Sequence, residues 1–325
     1  MRIPFAEYIG QHVLVMDGGQ GTDLEARGIA VDNPLWSTVA YLDRDEKQLK
    51  CVRDMYKSFI DAGSNTLTTV TYQSSFQSLR KYSNGKISSE ADYFKFLDYI
   101  LDFTENQCLT SDQYLIGSIG PYASFLLNGT EYSGDYGPEK VDFVDYYRPQ
   151  VTHFASAARV DCIGFETVPQ FCEFKALLSP EFANLCSSKP YYISITTDKD
   201  GNLRDGTSAE ELCNFIENKA RELPSNLVFL GINCIEFEYC SAILAILNNR
   251  LTKCRVRFKA AYPNSGEIYD GSSHSWLQNP DPSACQTWEN LASELLEQNC
   301  RMIGGCCRTT SEHIGRIAAI VRGHA

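Results

Sequence analysis

The stretch YYISITTDKDGNLRDGTSAEELCNFIENKARELPSNLVFLGINCIEFEYCSAILAILNNRL, residues 191–251, holds two complete turns of one rhythm. Tyr191–Thr196 is a short aromatic and β-branched run, and Ser208–Leu223 carries apolar residues at helical spacing. Leu227–Ile232 and Glu238–Leu251 repeat the pair. Strand, helix and strand in that order imply parallel pairing, because a parallel connection needs a crossover of a dozen or more residues.

The rhythm extends in both directions. Upstream, strands are predicted at His12–Met16, Asn65–Tyr72, Tyr114–Ile119 and Cys162–Phe165. Helices are predicted between them at Asp45–Asp61, Ser89–Cys108, Val141–Ala158 and Gln170–Leu178. The first of these places Leu49, Val52, Met55, Tyr56, Phe59 and Ile60 on one face and stops at Gly63; Pro149 should kink the third. Downstream come strands at Val256–Ala261 and Met302–Gly305, and helices at Pro282–Asn299 and Ser311–Val321, the last capped by Thr310 or Ser311.

Eight strand–helix units predict an α/β fold, a single (β/α)8 TIM barrel domain over residues 1–325. An open doubly wound sheet is the alternative. Gly18-Gly19-Gln20-Gly21 lacks the G-x-G-x-x-G spacing such a sheet uses for dinucleotides, which weighs against it. The long irregular stretches 21–44, 120–140 and 262–281 each follow a predicted strand, the end at which barrels build their sites.

Composition narrows the class. The 325 residues are 43% hydrophobic and carry a net charge of −12, which disfavours a nucleic-acid partner. No run of about 18 apolar residues is present, so no membrane span is expected. The N-terminus lacks the apolar core of a signal peptide, and a cytoplasmic location is expected. The thirteen cysteines are odd in number and their spacings resemble no disulfide scaffold. Cys51, Cys108, Cys162, Cys172, Cys186, Cys213, Cys240, Cys254, Cys285 and Cys300 sit in helical or strand-like runs and read as structural.

The other three stand at predicted strand ends. Cys234 follows the sixth strand in Gly-Ile-Asn-Cys, and Cys306 and Cys307 follow the eighth in Gly-Gly-Cys-Cys-Arg. The seventh strand lies between, so the cysteines can meet across it. Three thiolates make a zinc set with one coordination position left open. Adjacent cysteines point to opposite faces of a regular strand, so both reach one metal only where the chain bends; Gly304-Gly305 is expected to allow that bend. Three thiolates give Zn2+ a net charge of −1. Such a site is a poor Lewis acid for hydrolysis and suits the activation of a substrate thiol. Asp17, after the first strand, and Glu166, after the fourth, either cap local backbone or hold an ammonium group. Asn264 follows the seventh strand in Tyr-Pro-Asn-Ser-Gly.

These residues together resemble the homocysteine S-methyltransferase family. The resemblance rests on Asp17-Gly18-Gly19-Gln20-Gly21-Thr22, Gly231-Ile232-Asn233-Cys234 and Gly304-Gly305-Cys306-Cys307, and it covers nearly the whole chain. Asn33-Pro34-Leu35-Trp36-Ser37, Thr71-Tyr72-Gln73-Ser74 and Gly134-Asp135-Tyr136 are similar to the S-methylmethionine-using members of fungi, plants and bacteria, the fungal ones above all. The resemblance implies Zn2+ on Cys234, Cys306 and Cys307, and homocysteine as methyl acceptor. Asp17 and Glu166 would hold its amino group, and the backbone near Gly19, Gln20 or Thr22 its carboxylate. Trp36, Tyr72, Gln73 and Asn264 are candidates for the donor side, where Trp36 or Tyr72 would face the sulfonium cation. The donor is S-methylmethionine or S-adenosylmethionine, and methionine the product. The chain is too short for the cobalamin and folate modules of larger methionine-forming enzymes. Two other classes compete: a non-catalytic zinc- or thiol-binding barrel, and a redox enzyme using the vicinal Cys306–Cys307 pair.

Overall fold

The computed structural model describes residues 2–270, 275–277 and 286–324. Its sheet contains β1 (Leu14–Val15), β2 (Thr66–Thr68), β3 (Tyr114–Ile119), β4 (Cys162–Val168), β5 (Tyr191–Ile195), β6 (Leu227–Asn233) and β7 (Phe258–Tyr262). A small antiparallel pair follows, β8 (Ile268–Asp270) and β9 (Ser275–Leu277), and then β10 (Met302–Ile303) completes the main sheet. The eight main strands are parallel in the order β1-β10-β7-β6-β5-β4-β3-β2, with helices between them. This is the predicted TIM barrel. β3, β4 and β5 are buried along their whole length, which is why they read as continuous apolar runs and not as alternating ones.

The ring closes between β1 and β2 through one backbone hydrogen bond and several side-chain ones. Asn65 donates its amide to the Val15 carbonyl at 3.0 Å, and its Oδ1 accepts the Val15 amide at 2.9 Å. Ser64 Oγ donates to the Met16 carbonyl at 2.8 Å. One turn further up, Asp17 Oδ2 accepts both the amide and the hydroxyl of Thr68, each at 3.0 Å. Two short strands thus form a seam without a ladder.

Inside the barrel, Leu14, Met16, Ile116, Tyr192, Phe229, Tyr262 and Met302 pack as one apolar cluster. Its floor is the helix Phe5–Gln11, which the sequence reading left unassigned. Phe5 and Ile9 lie four residues apart on one face and are buried in the barrel bottom, Phe5 edge-on to Tyr114 at 5.7 Å. A larger cluster fills the layer between the strands and the outer helices. There Glu46–Ala62 buries all but one of the residues predicted for its inner face, Ile60 being partly buried, and ends at Gly63 with φ 115°.

Several boundaries move. β2 ends at Thr68, four residues before the predicted end, and the chain leaves the sheet to carry Tyr72 and Gln73 into the mouth. β4 runs three residues longer than predicted, through a bulge between Phe165 and Val168. The helix Phe143–Ser156 continues through Pro149. The helix expected at Pro282–Asn299 is present as Trp288–Glu297; residues 282–285, with Cys285, lie outside the described residues. No helix among the described residues is long and apolar enough to cross a membrane.

Candidate active site

The upper ends of the strands surround a cavity of about 1650 Å³. Asp17, Gly19, Gln20, Thr22, Trp36, Tyr72, Gln73, Glu166, Cys234, Asn264, Cys306 and Cys307 all line it. Every residue singled out from the sequence is therefore brought to one place.

The Sγ atoms of Cys234, Cys306 and Cys307 lie within 4.8 Å of one another, with Cys234–Cys307 at 3.7 Å and Cys306–Cys307 at 4.0 Å. A tetrahedral ion with Zn–S bonds near 2.3 Å needs S···S separations of about 3.8 Å. The donor set therefore fits such an ion. Hydrogen bonds from Cys234 and Cys306 hold Cys307 well below the usual thiol range, and the same contacts with burial push Cys234 up.

Around the thiols the left-handed backbone falls on Cys234, at φ 50°, and Arg308, at φ 65°, and on neither Gly304 nor Gly305. The two glycines serve close approach. A Cβ on Gly304 would stand 2.5 Å from Met16 Cβ and 2.9 Å from the Asp17 carbonyl, and one on Gly305 would stand 2.4 Å from Thr309 Oγ1. The loops after β1 and β10 are stitched together in the same way. Gly19 donates its amide to Thr309, with Oγ1 at 2.8 Å, and Thr309 Oγ1 donates to the Cys306 carbonyl at 2.6 Å. Thr22 Oγ1 accepts the Arg308 amide at 3.0 Å. The Gly19 amide is thus engaged. The first-turn amides of the helix Gln20–Ala26, those of Gln20, Gly21 and Thr22, have no intrahelical acceptor, and all three residues line the cavity.

Two carboxyl groups sit at the cavity floor. Besides Thr68, Asp17 Oδ2 accepts Gln20 Nε2 at 2.9 Å. Glu166 accepts Ser118 Oγ and Tyr192 Oη, both at 3.1 Å. Burial pushes Asp17 up to about 7 and Glu166 up to about 8, the latter raised further by Cys306 and Asp17. Each is a buried acid whose charge lacks a cation. A cationic ligand between them would stabilise both as carboxylates.

In the same cavity Trp36 and Tyr72 meet edge to face at 5.9 Å. Gly21 lets the indole in: a Cβ there would fall 2.1 Å from its ring. Gln73 Nε2 makes only a long contact, 3.4 Å, to the Ser124 carbonyl. Asn264 donates its amide to the Ile235 carbonyl at 3.0 Å, while its buried Oδ1 has no partner among the described residues. Arg308 pairs with Glu267 at 2.8 Å.

The sequence reading missed Asn233, Thr309, Arg204 and Glu173. The first lay inside a quoted motif, and Thr309 two residues past another. Arg204 and Glu173 carried no motif. Glu173 is fully buried under the mouth, accepting Tyr147 Oη at 2.6 Å, the Tyr122 amide at 2.7 Å and a hydrogen bond from Tyr136. It thereby ties the loop after β3 to the helix Phe171–Leu177.

The family described as homocysteine S-methyltransferase matches residues 14–321. Two Saccharomyces cerevisiae relatives, homocysteine S-methyltransferases 2 and 1, are each 39% identical, over 99% and 98% of this chain and 98% of their own lengths. The Escherichia coli homocysteine S-methyltransferase is 29% identical over 95% of each chain. The crystal structure of the homocysteine methyltransferase MmuM from Escherichia coli in its metallated form superposes with a TM-score of 0.73 at 26% identity, covering 97% of this chain and 98% of that one.

Proposed function

The chain belongs to the homocysteine S-methyltransferase family and is a methyltransferase of that kind, and from this premise we propose that it carries a methyl group from S-methylmethionine to homocysteine at a zinc centre formed by Cys234, Cys306 and Cys307. The observation that carries the reading is the meeting of three thiols, two uncompensated buried acids and an aromatic pair in one cavity. When bound, zinc supplies a means of holding the acceptor sulfur as a thiolate at neutral pH.

The rest is the work of the chain. Asp17 and Glu166 take the ammonium of homocysteine, and the first-turn amides of Gln20, Gly21 and Thr22 receive its carboxylate at the positive end of a helix. Trp36 and Tyr72 face the donor sulfonium, and Gln73 and Asn264 present amides to the rest of the donor. One bond forms, from the acceptor sulfur to the methyl carbon, and one breaks, from that carbon to the sulfonium sulfur. Its electron pair stays on the donor sulfur, so a cation and an anion become two neutral thioethers. An enclosed mouth favours that loss of charge. The donor gives one methionine and the acceptor another. The step as written needs neither cobalamin nor folate, and a reducing cytoplasm would keep the three metal-binding cysteines from oxidising.

Purified protein should contain about one zinc per chain and form methionine from homocysteine and S-methylmethionine, faster than with S-adenosylmethionine. Cys306→Ala should lose both metal and turnover. Full turnover after exhaustive chelation would sink the zinc reading and favour chemistry of the Cys306–Cys307 pair; a preference for S-adenosylmethionine would overturn the donor.

A further inference from the structure

The cavity is acidic. Among the described residues nine carboxyl groups line it and only two guanidinium groups, Arg204 and Arg308. Arg308 is held by Glu267. Arg204 has no carboxylate within ion-pair distance among the described residues, and its Nε is buried without a partner. Burial lowers its pKa, outweighing the acidic groups nearby, Glu236 first among them.

Its backbone is fixed. The turn after β5 is closed by a bridge between Thr197 and Leu203. Asp198 accepts the amides of Asp200 and Asn202 at 2.9 Å with one oxygen and Asn202 Nδ2 at 3.0 Å with the other, so the nearby Asp198 charge is already occupied. Asp205 accepts the Phe171 amide at 2.7 Å. Arg204 is therefore a guanidinium fork carried on a fixed turn at the mouth, near Glu236, Tyr132 and Cys234.

A plain anion approaching Arg204 is repelled by the acidic wall. A ligand suits this surface only if its anionic group comes with positive charge elsewhere. A sulfonium amino acid has one carboxylate, one ammonium and one sulfonium. Resting on the donor reading above, we infer that Arg204 is the seat of the methyl donor's α-carboxylate and fixes the sulfonium amino acid with its methyl group toward the cysteines.

The test compares S-methylmethionine with its methyl ester, which keeps both positive charges and loses the negative one. Wild type should prefer the free acid by about 10- to 100-fold in kcat/KM, the range for a charge-assisted pair. In Arg204→Met the preference should fall to within about threefold, while KM for homocysteine stays within about twofold. Arg204→Lys should fall between, and matching thermal melts would exclude misfolding. S-Adenosylmethionine and its methyl ester are run alongside. Wild type inactive with both free donors would sink the proposed function. Activity with an undiminished acid preference in Arg204→Met, no preference in wild type, or a rise in homocysteine KM in place of donor KM would overturn the role of Arg204 alone.

Discussion

Asn233 clasps Thr167: its Oδ1 accepts the Thr167 amide at 2.9 Å, and its Nδ2 donates to Thr167 Oγ1 at 2.7 Å. Thr167 is held at φ 60°, next to Glu166, and Asn233 is next to Cys234. One side chain therefore sets the spacing between the acid proposed for the ammonium and the cysteine proposed for the metal. It also sits 4.0 Å from Cys306 Sγ. Asn233→Ala should cost about 1–3 kcal/mol of stability. It should also weaken metal binding by roughly 10- to 100-fold, as loss of a supporting shell does. Metal titration beside thermal melts checks both, and unchanged metal affinity would deny the clasp this role.

The two floor acids set the pH dependence. Asp17 is raised from 3.8 to about 7 and Glu166 from 4.5 to about 8, so the folded protein binds their protons more tightly than the unfolded chain. Their charged forms cost stability, and that cost grows as pH rises from the unfolded values to the folded ones. Homocysteine needs the charged forms, so its KM should fall as pH climbs through about 7 to 8. Asp17→Asn keeps an oxygen for the Thr68 amide and drops the charge. Its Tm should exceed wild type at pH 8.5 and not at pH 4, while homocysteine KM rises by about 10-fold or more.

Glycine at 304 is required by its neighbours. Gly304→Ala drives a methyl group against Met16 and the Asp17 carbonyl, neither of which is the free end of a side chain. A loss of about 1–3 kcal/mol is expected, with weakened binding of homocysteine. Gly10→Ala is the contrast. Gly10 lies in the floor helix with nothing within 4 Å of an added Cβ, so the change should stabilise by about 0.5–1 kcal/mol. Denaturant melts of the pair decide it.

The aromatic wall should discriminate donors by charge. Trp36→Leu keeps apolar bulk and loses the π face, so KM for S-methylmethionine should rise by about 5- to 30-fold with homocysteine KM little changed. An equal loss of affinity for an uncharged thioether analogue, measured as inhibition, would show that the ring acts by packing.

The barrel was legible because each strand is buried on both faces and each outer helix on one, leaving two distinct periods in the chain. The cysteines were legible because a motif places them at strand ends, and strand ends share one mouth. What escaped follows another logic. Arg204 stands out by a buried Nε without a partner among the described residues, which no spacing announces, and Glu173 acts through tyrosines 26 and 37 residues distant. The floor helix carries only two buried apolar residues in seven, too few to show a period. The crowding around Gly304 and Gly305 escaped because composition says where a bend is permitted, not where a neighbour needs the space; the left-handed residues nearby are Cys234 and Arg308.

The seam between β1 and β2 has its own consequence. Elsewhere in the ring neighbouring strands bond to one another, but at Thr68 a backbone proton is given to the Asp17 carboxyl group. Whatever occupies that carboxyl group tugs on the stave beside it. The latch that completes the cylinder would then register acceptor loading, and the Thr68 amide, followed by deuterium exchange or by its NMR shift, is a native gauge of occupancy at the far end of the pocket from the methyl group.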